Sequence, residues 1–345
     1  MNLVIAEKPS VAQSIAAVLG ATKRQDGYLE GNSYIVSWCV GHLVELATAD
    51  TYDERYAKWE YADLPILPES WQYSISKGKE KQVNILKELA NRKDVAVITS
   101  ATDAGREGEL IFRLVYEKIG CKKPVKRLWI SSMEESAISE GFKSLRDSTY
   151  YDALYQAALC RAKADWIVGI NSTRLFSVIY GQTLNVGRVM SPTLAMIVER
   201  EAAISAFKSE PFYTVLLDCG AFILSGEKLT DRHAAEDLLK ACDGQTIAIH
   251  SVESKEKSEK PPKLYDLTTL QREANRQLGF TAEQTLSYAQ SLYEKKLVTY
   301  PRTDSRYLTS DMSESTPAVA KAAAGIFMPQ SFESSIFMEQ VTDNS

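Results

Sequence analysis

The chain has 345 residues, a formal net charge of -5 and five cysteines with no CxxC pair. That length suffices for two to four globular domains. No apolar run approaches the ~20 residues of a membrane span, and the start MNLVIAEKPS has no basic leader, so we expect neither a span nor a signal peptide. Scattered cysteines and three histidines favour reduced thiols in a cytoplasmic protein over a zinc site or disulfides. The negative charge argues mildly against a nucleic-acid partner but leaves room for a local basic groove.

Strand and helix patterns alternate over residues 1–150. NLVIAE predicts a buried strand, followed by a helix that Pro9 opens and Gly20 ends. YLEGNSYIVSWCVGHL predicts a hairpin that turns at Gly31 and Asn32. A strand, a helix, a strand and a helix are then predicted at 94–103, 107–120, VKRLWISS and 134–145. This alternation predicts an α/β domain with a mainly parallel sheet.

The remaining chain is predicted to form three further regions. Residues 151–207 are helical in pattern, with a glycine-containing loop in TLNVGRVM. Residues 208–260 contain EPFYTVLLDCGAFILSG and GQTIAIHSVESKEKS, which predict the strands of a small β-rich domain. Residues 261–345 predict a helix, a turn at Gly279 and a second helix, the outline of a helix-turn-helix unit, before a polar, weakly patterned tail over 311–345.

Carboxylates follow two of the predicted strands at their carboxyl ends. Glu7 ends the first apolar run and Asp103 the second, and sites in open α/β sheets gather at those ends. Glu107 and Glu109 come next in ATDAGREGE. Carboxylate oxygens suit a hard cation such as Mg²⁺, although acids at this position also simply complement a helix N-terminus. The glycines and arginine at the same junction favour the metal site, and Lys8 is placed to hold a phosphate.

The segment LVTYPRTDS directly follows a predicted helix. Tyr300 is a candidate nucleophile for phosphorus, and a phenol must first lose a proton whose usual pKa is ~10. Arg302, two residues on, would favour the phenolate and neutralise charge in the transition state. The alternative is an ordinary helix end and turn.

A loop-to-helix junction in NVGRVMSPTL carries Arg188, Ser191 and Thr193. Such junctions bind phosphate through backbone N–H groups and hydroxyls. An ordinary capped helix with Pro192 in its first turn is the alternative. Arg161 and Asp165 lie on the preceding helix, where periodicity alone predicts a solvated face.

In combination these segments resemble a type IA DNA topoisomerase, and within that family the bacterial topoisomerase III branch. Seven motifs occur in the family's order up to about residue 310: LVIAEKPSVA, WCVGHLVEL, ATDAGREGELIF, RLWISSMEE, RAKADWIVGIN, VGRVMSPTLA and LVTYPRTDS. The resemblance implies a Toprim domain (1–150), a helical DNA-groove domain (151–207), a β-rich arch or hinge domain (208–260) and a winged-helix-type tyrosine domain (261–345).

The resemblance also implies residue roles. Tyr300 attacks a backbone phosphate and forms a 5′-phosphotyrosine link, with Arg302 as its phosphate partner. Glu7 protonates the departing 3′ oxygen, Lys8 holds a phosphate, and Glu7, Asp103 and Glu107 hold Mg²⁺ for resealing. The residues implied for the single-stranded DNA groove are Arg161, Asp165, Arg188 and Ser191, to which the phosphate-binding junction adds Thr193. Strand passage then relaxes or decatenates DNA without ATP, by a monomer for which a helicase is a candidate partner.

Two features depart from the family pattern. The family motif is often Asp-x-Asp-x-Glu, but Gly105 stands at the middle acid here, which favours one metal ion over two. The family also continues beyond this endpoint, so we expect a C-terminally truncated enzyme. Two alternatives remain open: a Toprim-type nuclease or primase, and an inactive single-stranded DNA-binding fragment.

Overall fold

The computed structural model describes residues 1–130, 133–259, 262–295, 297–308, 312 and 316–327. The chain divides into two compact units. The first unit comprises Met1–Gly187 and Pro262–Ser345, and the second comprises Arg188–Pro261. Every candidate catalytic and metal-binding residue therefore belongs to the first unit.

Seven strands of the described residues form one sheet in the first unit, in the order β2-β3-β4-β1-β7-β8-β9. The strands of this unit are β1 (Asn2–Ala6), β2 (Lys23–Gln25), β3 (Tyr28–Gly31), β4 (Tyr34–Trp38), β5 (Val44–Leu46), β6 (Tyr73–Ile75), β7 (Val97–Ala101), β8 (Val125–Arg127) and β9 (Arg146–Asp147). Strand β1 pairs in parallel with β4 and β7, and β7 pairs in parallel with β8. At the two ends of the sheet, β2 with β3, β3 with β4, and β8 with β9 pair antiparallel. The predicted α/β fold is confirmed, and the parallel part of its sheet consists of the four central strands.

Helices connect and follow these strands, and two further helices belong to the second unit. In chain order the helices are α1 (Pro9–Leu19), α2 (Ala49–Tyr52), α3 (Glu80–Asn91), α4 (Arg106–Lys118), α5 (Glu135–Lys143), α6 (Asp152–Tyr180), α7 (Met190–Ser205), α8 (Arg232–Cys242), α9 (Leu267–Leu278), α10 (Ala282–Glu294) and α11 (Thr316–Phe327), and those of the second unit are α7 and α8. Pro9 stands in the first turn of α1, and Gly20 ends that helix at φ 72°, as predicted. Within the described chain, no helix combines the length and apolarity needed to cross a membrane.

Two apolar clusters cover opposite faces of the large sheet. Leu3 and Ile5 of β1 belong to the cluster that includes Phe112 of α4, whereas Val4 and Ala6 belong to the cluster that includes Ile15 of α1. Alternate residues of a strand point to opposite faces, so β1 is buried on both. The sheet is thus fixed from both sides, and its carboxyl edge is a rigid platform for side chains.

Several local predictions are confirmed in the first unit. The predicted hairpin forms between β3 and β4, but it turns through Asn32 and Ser33, one residue later than predicted, and both residues have positive φ. Helix α9 ends at Gly279 in the left-handed region, and α10 begins with a capping box in which Thr281 and Gln284 bond reciprocally. The tail over 311–345, predicted to be weakly patterned, contains α11, and apart from residue 312 the rest of it lies outside the described residues.

The second unit is described by itself. Strands β10 (Tyr213–Asp218) and β11 (Ile223–Leu229) pair antiparallel, as EPFYTVLLDCGAFILSG predicts. The strand predicted in GQTIAIHSVESKEKS is wrong, because residues 245–259 have no regular structure. Those residues are almost all exposed, and an apolar alternation without a neighbouring strand gains neither ladder hydrogen bonds nor burial. Helix α8 was not predicted.

Candidate active site

The carboxyl edge of the sheet places Glu7 beside Asp103. Ala6 of β1 pairs with Ala101 of β7, so the residues after these strands emerge together. Glu7 is only 6% exposed, and its Oε2 accepts a hydrogen bond from the backbone N–H of Asp103 at 3.1 Å. The two acids are 96 residues apart in the chain, and the parallel pairing alone brings them into contact.

Burial changes the acidity of Glu7. Desolvation, followed by the negative charge of Asp103, raises the pKa of Glu7 from its ordinary value of 4.5 to about 7, while the Asp103 N–H and the Lys8 ammonium act in the opposite direction. A carboxyl with this pKa holds a proton in a sizeable fraction of molecules near neutral pH. Glu7 is therefore suited to donate a proton to a leaving group.

Tyr300 lies against the same edge. Its phenol donates a hydrogen bond to Oδ2 of Asp103 at 2.6 Å, and its ring packs edge-on to Tyr293 at 5.4 Å between centroids. Burial, followed by the bond to Asp103 and the charges of Asp103 and Glu7, raises the pKa of Tyr300, whereas the charge of Arg302 lowers it. Arg302 therefore lowers the pKa of Tyr300 as expected, but burial and the two carboxylates have the larger effect, and the pKa is raised overall. With its pKa raised, the phenol keeps its proton at neutral pH, so an attack by its oxygen requires a proton acceptor. Asp103 lies within hydrogen-bond distance and can serve as that acceptor.

The loop after Tyr300 is tied to the start of α9. Arg306 donates hydrogen bonds to the carbonyls of Leu264 and Lys263 at 2.8 and 3.3 Å. The backbone N–H of Leu267 reaches the carbonyl of Thr303 at 3.4 Å. Residues 297–308, the loop that carries Tyr300, form no helix and no strand, so these hydrogen bonds fix the loop in place.

A cavity of about 600 Å³ opens beside Tyr300 within the first unit. It is lined by Asp103 and Arg302 and by apolar side chains such as Leu128 and Leu264. Its volume falls in the range of ligand sites. The candidate catalytic residues Tyr300 and Arg302 therefore border a space large enough for part of a ligand.

The predicted metal ligands are only partly brought together. Glu107 lies in the first turn of α4 with its side chain 59% exposed, and its Oε2 is 3.8 Å from Nε2 of His42. Across the described part of the chain, no three acidic, histidine or cysteine side chains group closely enough to hold a metal ion. Glu7 and Asp103 nevertheless fit Mg²⁺, since this ion often takes one or two carboxylates, with waters and substrate phosphates completing its shell. Their mutual repulsion is what a cation would relieve.

The remaining predicted residues are placed as follows. Lys8 lies between β1 and α1. Arg161 and Asp165 are half-exposed on α6 in the first unit, with Nε and Oδ2 3.9 Å apart. Arg188, Ser191 and Thr193 belong to the second unit, where the Thr193 hydroxyl donates to the carbonyl of Val189 at 2.7 Å. Their grouping in one DNA groove therefore stays a prediction.

Sequence reasoning missed Arg127 and grouped Glu109 with Glu107 as a carboxylate suited to a cation, whereas Glu109 is paired with Arg127 in the structure. Both side chains are fully buried, and Nε of Arg127 is 3.0 Å from Oε2 of Glu109. A charged residue inside the apolar strand pattern VKRLW was the available signal for Arg127. A buried charge usually has a partner of opposite charge. The position of Arg127 in the strand pattern could thus have indicated that a counter-charge exists, but not which residue provides it.

With this geometry described, comparison with known proteins identifies the class. The family model described as "Toprim domain" matches residues 2–133, and the one described as "DNA topoisomerase" matches residues 149–339. The chain belongs to the type IA DNA topoisomerase family. Its fold resembles that of full-length topoisomerase I from Thermotoga maritima, with a TM-score of 0.63, 26% identity, and coverage of 94% of this chain and 52% of that one.

Within that family the similar proteins are bacterial enzymes named DNA topoisomerase 3. The protein from Shouchella clausii is 47% identical over 90% of this chain and 44% of its own length. The proteins from Bacillus subtilis strain 168 and Bacillus cereus ATCC 14579 are 46% and 44% identical over 90% and 93% of this chain, and over 44% and 45% of their own lengths. The chain thus spans less than half the length of these relatives.

Proposed function

We propose that this chain carries the strand-cleaving chemistry of a type IA DNA topoisomerase that relaxes or decatenates DNA without ATP. One observation carries the proposal. The phenol of Tyr300, from the last third of the chain, lies 2.6 Å from Asp103 beside a buried Glu7 whose pKa is raised to about 7. A nucleophile, a proton acceptor and a proton donor thus meet at one sheet edge.

The reaction follows from these three side chains. The Tyr300 oxygen attacks a backbone phosphorus as its proton passes to Asp103, and the bond from phosphorus to the 3′ oxygen breaks. Glu7 gives its proton to that oxygen, and a 5′-phosphotyrosine bond remains. Arg302 offsets negative charge on the phosphate. The new phosphodiester stores the energy of the old one, so the 3′ hydroxyl can reverse the attack once a second strand has passed.

Mg²⁺ is the cofactor we propose for resealing. Glu7 and Asp103 would hold one ion, and Glu107 would assist from α4, in agreement with Gly105 at the position of the family's middle acid. When bound, the ion supplies positive charge to phosphate oxygens. Lys8 holds the phosphate beside Glu7 in this proposal.

The substrate we propose is single-stranded or negatively supercoiled DNA. Arg161, Asp165, Arg188, Ser191 and Thr193 would line the groove that takes the DNA. In the proposed division of the chain into 1–150, 151–207, 208–260 and 261–345, all five belong to the helical region 151–207. The relatives named DNA topoisomerase 3 support a DNA substrate, and their bacterial origin agrees with the cytoplasmic location that we propose. A monomer, and a helicase as partner, are part of the same proposal.

The decisive test is a covalent adduct on single-stranded DNA labelled at its 3′ end, because a 5′-phosphotyrosine retains that fragment. We expect the unaltered chain to shift labelled DNA with protein after denaturation, and Tyr300→Phe to abolish the shift. Tyr307→Phe is the matched control, since it alters a phenol of the same loop that contacts Lys263 rather than Asp103.

The same test separates the alternatives. Cleavage by Tyr300→Phe without an adduct would identify a Toprim-type nuclease and contradict the proposal. Binding that weakens with salt but yields no adduct from the unaltered chain would identify a DNA-binding fragment.

A further inference from the structure

Arg127 contacts the backbone that carries Asp103. Strand β7 ends at Ala101, so the carbonyls of the next residues lie beyond its ladder. The guanidinium of Arg127 donates to the carbonyls of Thr102 and Asp103, each at 2.7 Å, and to that of Ser100 at 3.3 Å. One planar group thus spans the turn out of β7, a geometry that a lysine ammonium cannot reproduce.

Helix α4 also approaches the backbone of Asp103 closely. A Cβ built on Gly108 would lie 2.2 Å from the carbonyl oxygen of Asp103, and the Thr102 hydroxyl donates to the carbonyl of Gly108 at 2.7 Å. The backbone of Asp103 is therefore both hydrogen-bonded by the guanidinium and packed against the helix. Its N–H faces Glu7 and its carboxylate faces Tyr300, so a small displacement would disturb both contacts.

The buried charge of Arg127 is balanced by Glu109. Glu109 is fully buried and also accepts a hydrogen bond from Arg113 at 2.8 Å. Arg113 in turn donates to the Ser148 carbonyl at 2.6 Å and to the Asp152 carboxylate at 2.7 Å, next to the start of α6. The two arginines share one counter-charge, but only Arg127 reaches the Asp103 peptide.

We infer that Arg127 is a positioning residue that holds the Asp103 backbone, and through it the carboxylate that faces Tyr300 and would help to hold Mg²⁺. The inference rests on the proposed function for its role in DNA cleavage. Its physical content is independent of that reaction, because the position of Asp103 also governs divalent-cation binding. Removing an outer partner of a metal ligand typically weakens metal binding about 10- to 100-fold.

The test compares Arg127→Lys with Arg113→Lys in the 345-residue chain. Each variant keeps a positive charge near Glu109, and only the first loses the span across the Asp103 carbonyls. Manganese binding, measured by the loss of the free-ion resonance signal and counted as the part that Asp103→Asn abolishes, is the first readout. The rate of adduct formation without metal is the second, and melting temperature reports on the fold.

We expect Arg127→Lys to weaken manganese binding about tenfold or more and to slow adduct formation, while Arg113→Lys changes each less than about twofold. Equal effects of the two variants, or a change in melting temperature alone, would show a purely structural role and overturn the inference. If Arg127→Lys does not fold, the charge-neutral pair Arg127→Met with Glu109→Gln replaces it, with the same two expected losses and the same result against it.

The two proposals fail in different ways. If the unaltered chain binds manganese at Asp103 but forms no adduct, the proposed function fails and the manganese comparison still decides the role of Arg127. If it forms an adduct but binds no manganese there, the adduct rates decide it. A chain that does neither contradicts both proposals.

Discussion

Glu7 shows how position gives a common residue an uncommon property. In the amino-acid sequence, Glu7 is one of 45 acidic residues. In the fold it is nearly excluded from water and faces a second carboxyl group, and both effects oppose its ionisation. The same environment that suits Glu7 to proton donation therefore costs stability once the residue is ionised.

This cost predicts that Glu7→Gln stabilises the chain in a pH-dependent manner. The raised pKa means that the penalty is absent below about pH 4.5, grows up to about pH 7 and is complete above it. We expect the variant to increase the free energy of unfolding by about 1–3 kcal/mol at pH 8 and negligibly at pH 4.5, measured by urea denaturation. Glu107→Gln is the control, because that side chain is 59% exposed and should show no such pH dependence. Equal gains at both pH values would contradict the assigned cause.

Arg302 provides a second prediction for a single residue. Its positive charge is what lowers the pKa of Tyr300 against burial and two carboxylates. Under the proposed function, Arg302→Ala should slow adduct formation about 100-fold, the usual cost of one group that stabilises transition-state charge, and Arg302→Lys should recover part of the loss. Arg276→Ala removes an exposed arginine of α9 that pairs with Glu273, and it should leave the rate unchanged. A similar loss from both alanine variants would argue for non-specific DNA attraction.

At the scale of elements, the site depends on the close approach of α4 to the turn after β7. Helix propensity alone would favour alanine over glycine at position 108. The structure forbids it, because the added carbon would overlap the Asp103 backbone. A glycine is therefore required at position 108 by close packing, and not by a left-handed backbone conformation.

Gly108→Ala should consequently destabilise the chain by about 1–3 kcal/mol, the usual cost of overpacking. Gly169→Ala is the matched control within α6, since its added carbon would lie 3.7 Å from the nearest atom, an ordinary contact. That control should be neutral or more stable by up to about 1 kcal/mol. Urea denaturation of both variants decides the matter, and equal effects would contradict the close-approach argument.

At the scale of the whole molecule, a net charge of -5 must be reconciled with the proposed DNA substrate. Binding then depends on local cations rather than on the total charge. Arg161, half-exposed on α6, is one such cation. Its contribution is measurable through salt, because each phosphate contact on single-stranded DNA adds a slope of about 0.7 to the logarithmic salt dependence.

Arg161→Ala should therefore weaken binding to an oligonucleotide and reduce the salt slope by about 0.7. Lys81→Ala, which removes an exposed cation paired with Asp26 far along the chain from the predicted groove, should change neither. Fluorescence anisotropy across a series of salt concentrations measures both quantities. An unchanged slope for Arg161→Ala would remove this residue from the proposed DNA contacts.

Much of this architecture could be predicted from local patterns. The alternating apolar runs around NLVIAE predicted parallel strands, and Gly20, Gly279 and the Thr281 capping box marked helix ends, because these signals act over a few neighbouring residues. The strand predicted in residues 245–259 failed for the same reason. Alternation is local, but a strand also needs a partner, and no other segment that the structure describes pairs with these residues.

The sequence by itself determined which residues could react: the acids at two strand ends, the tyrosine with its arginine, and the ordered motifs that carry the family resemblance. Only the tertiary structure decided that Glu7, Asp103 and Tyr300 meet, that Glu107 turns toward His42, and that Arg127 holds the turn after β7. The physical reason is the distance along the chain over which each effect acts. Chemistry and local propensity belong to a residue and its neighbours, whereas desolvation and hydrogen-bond partners depend on segments up to 197 residues apart.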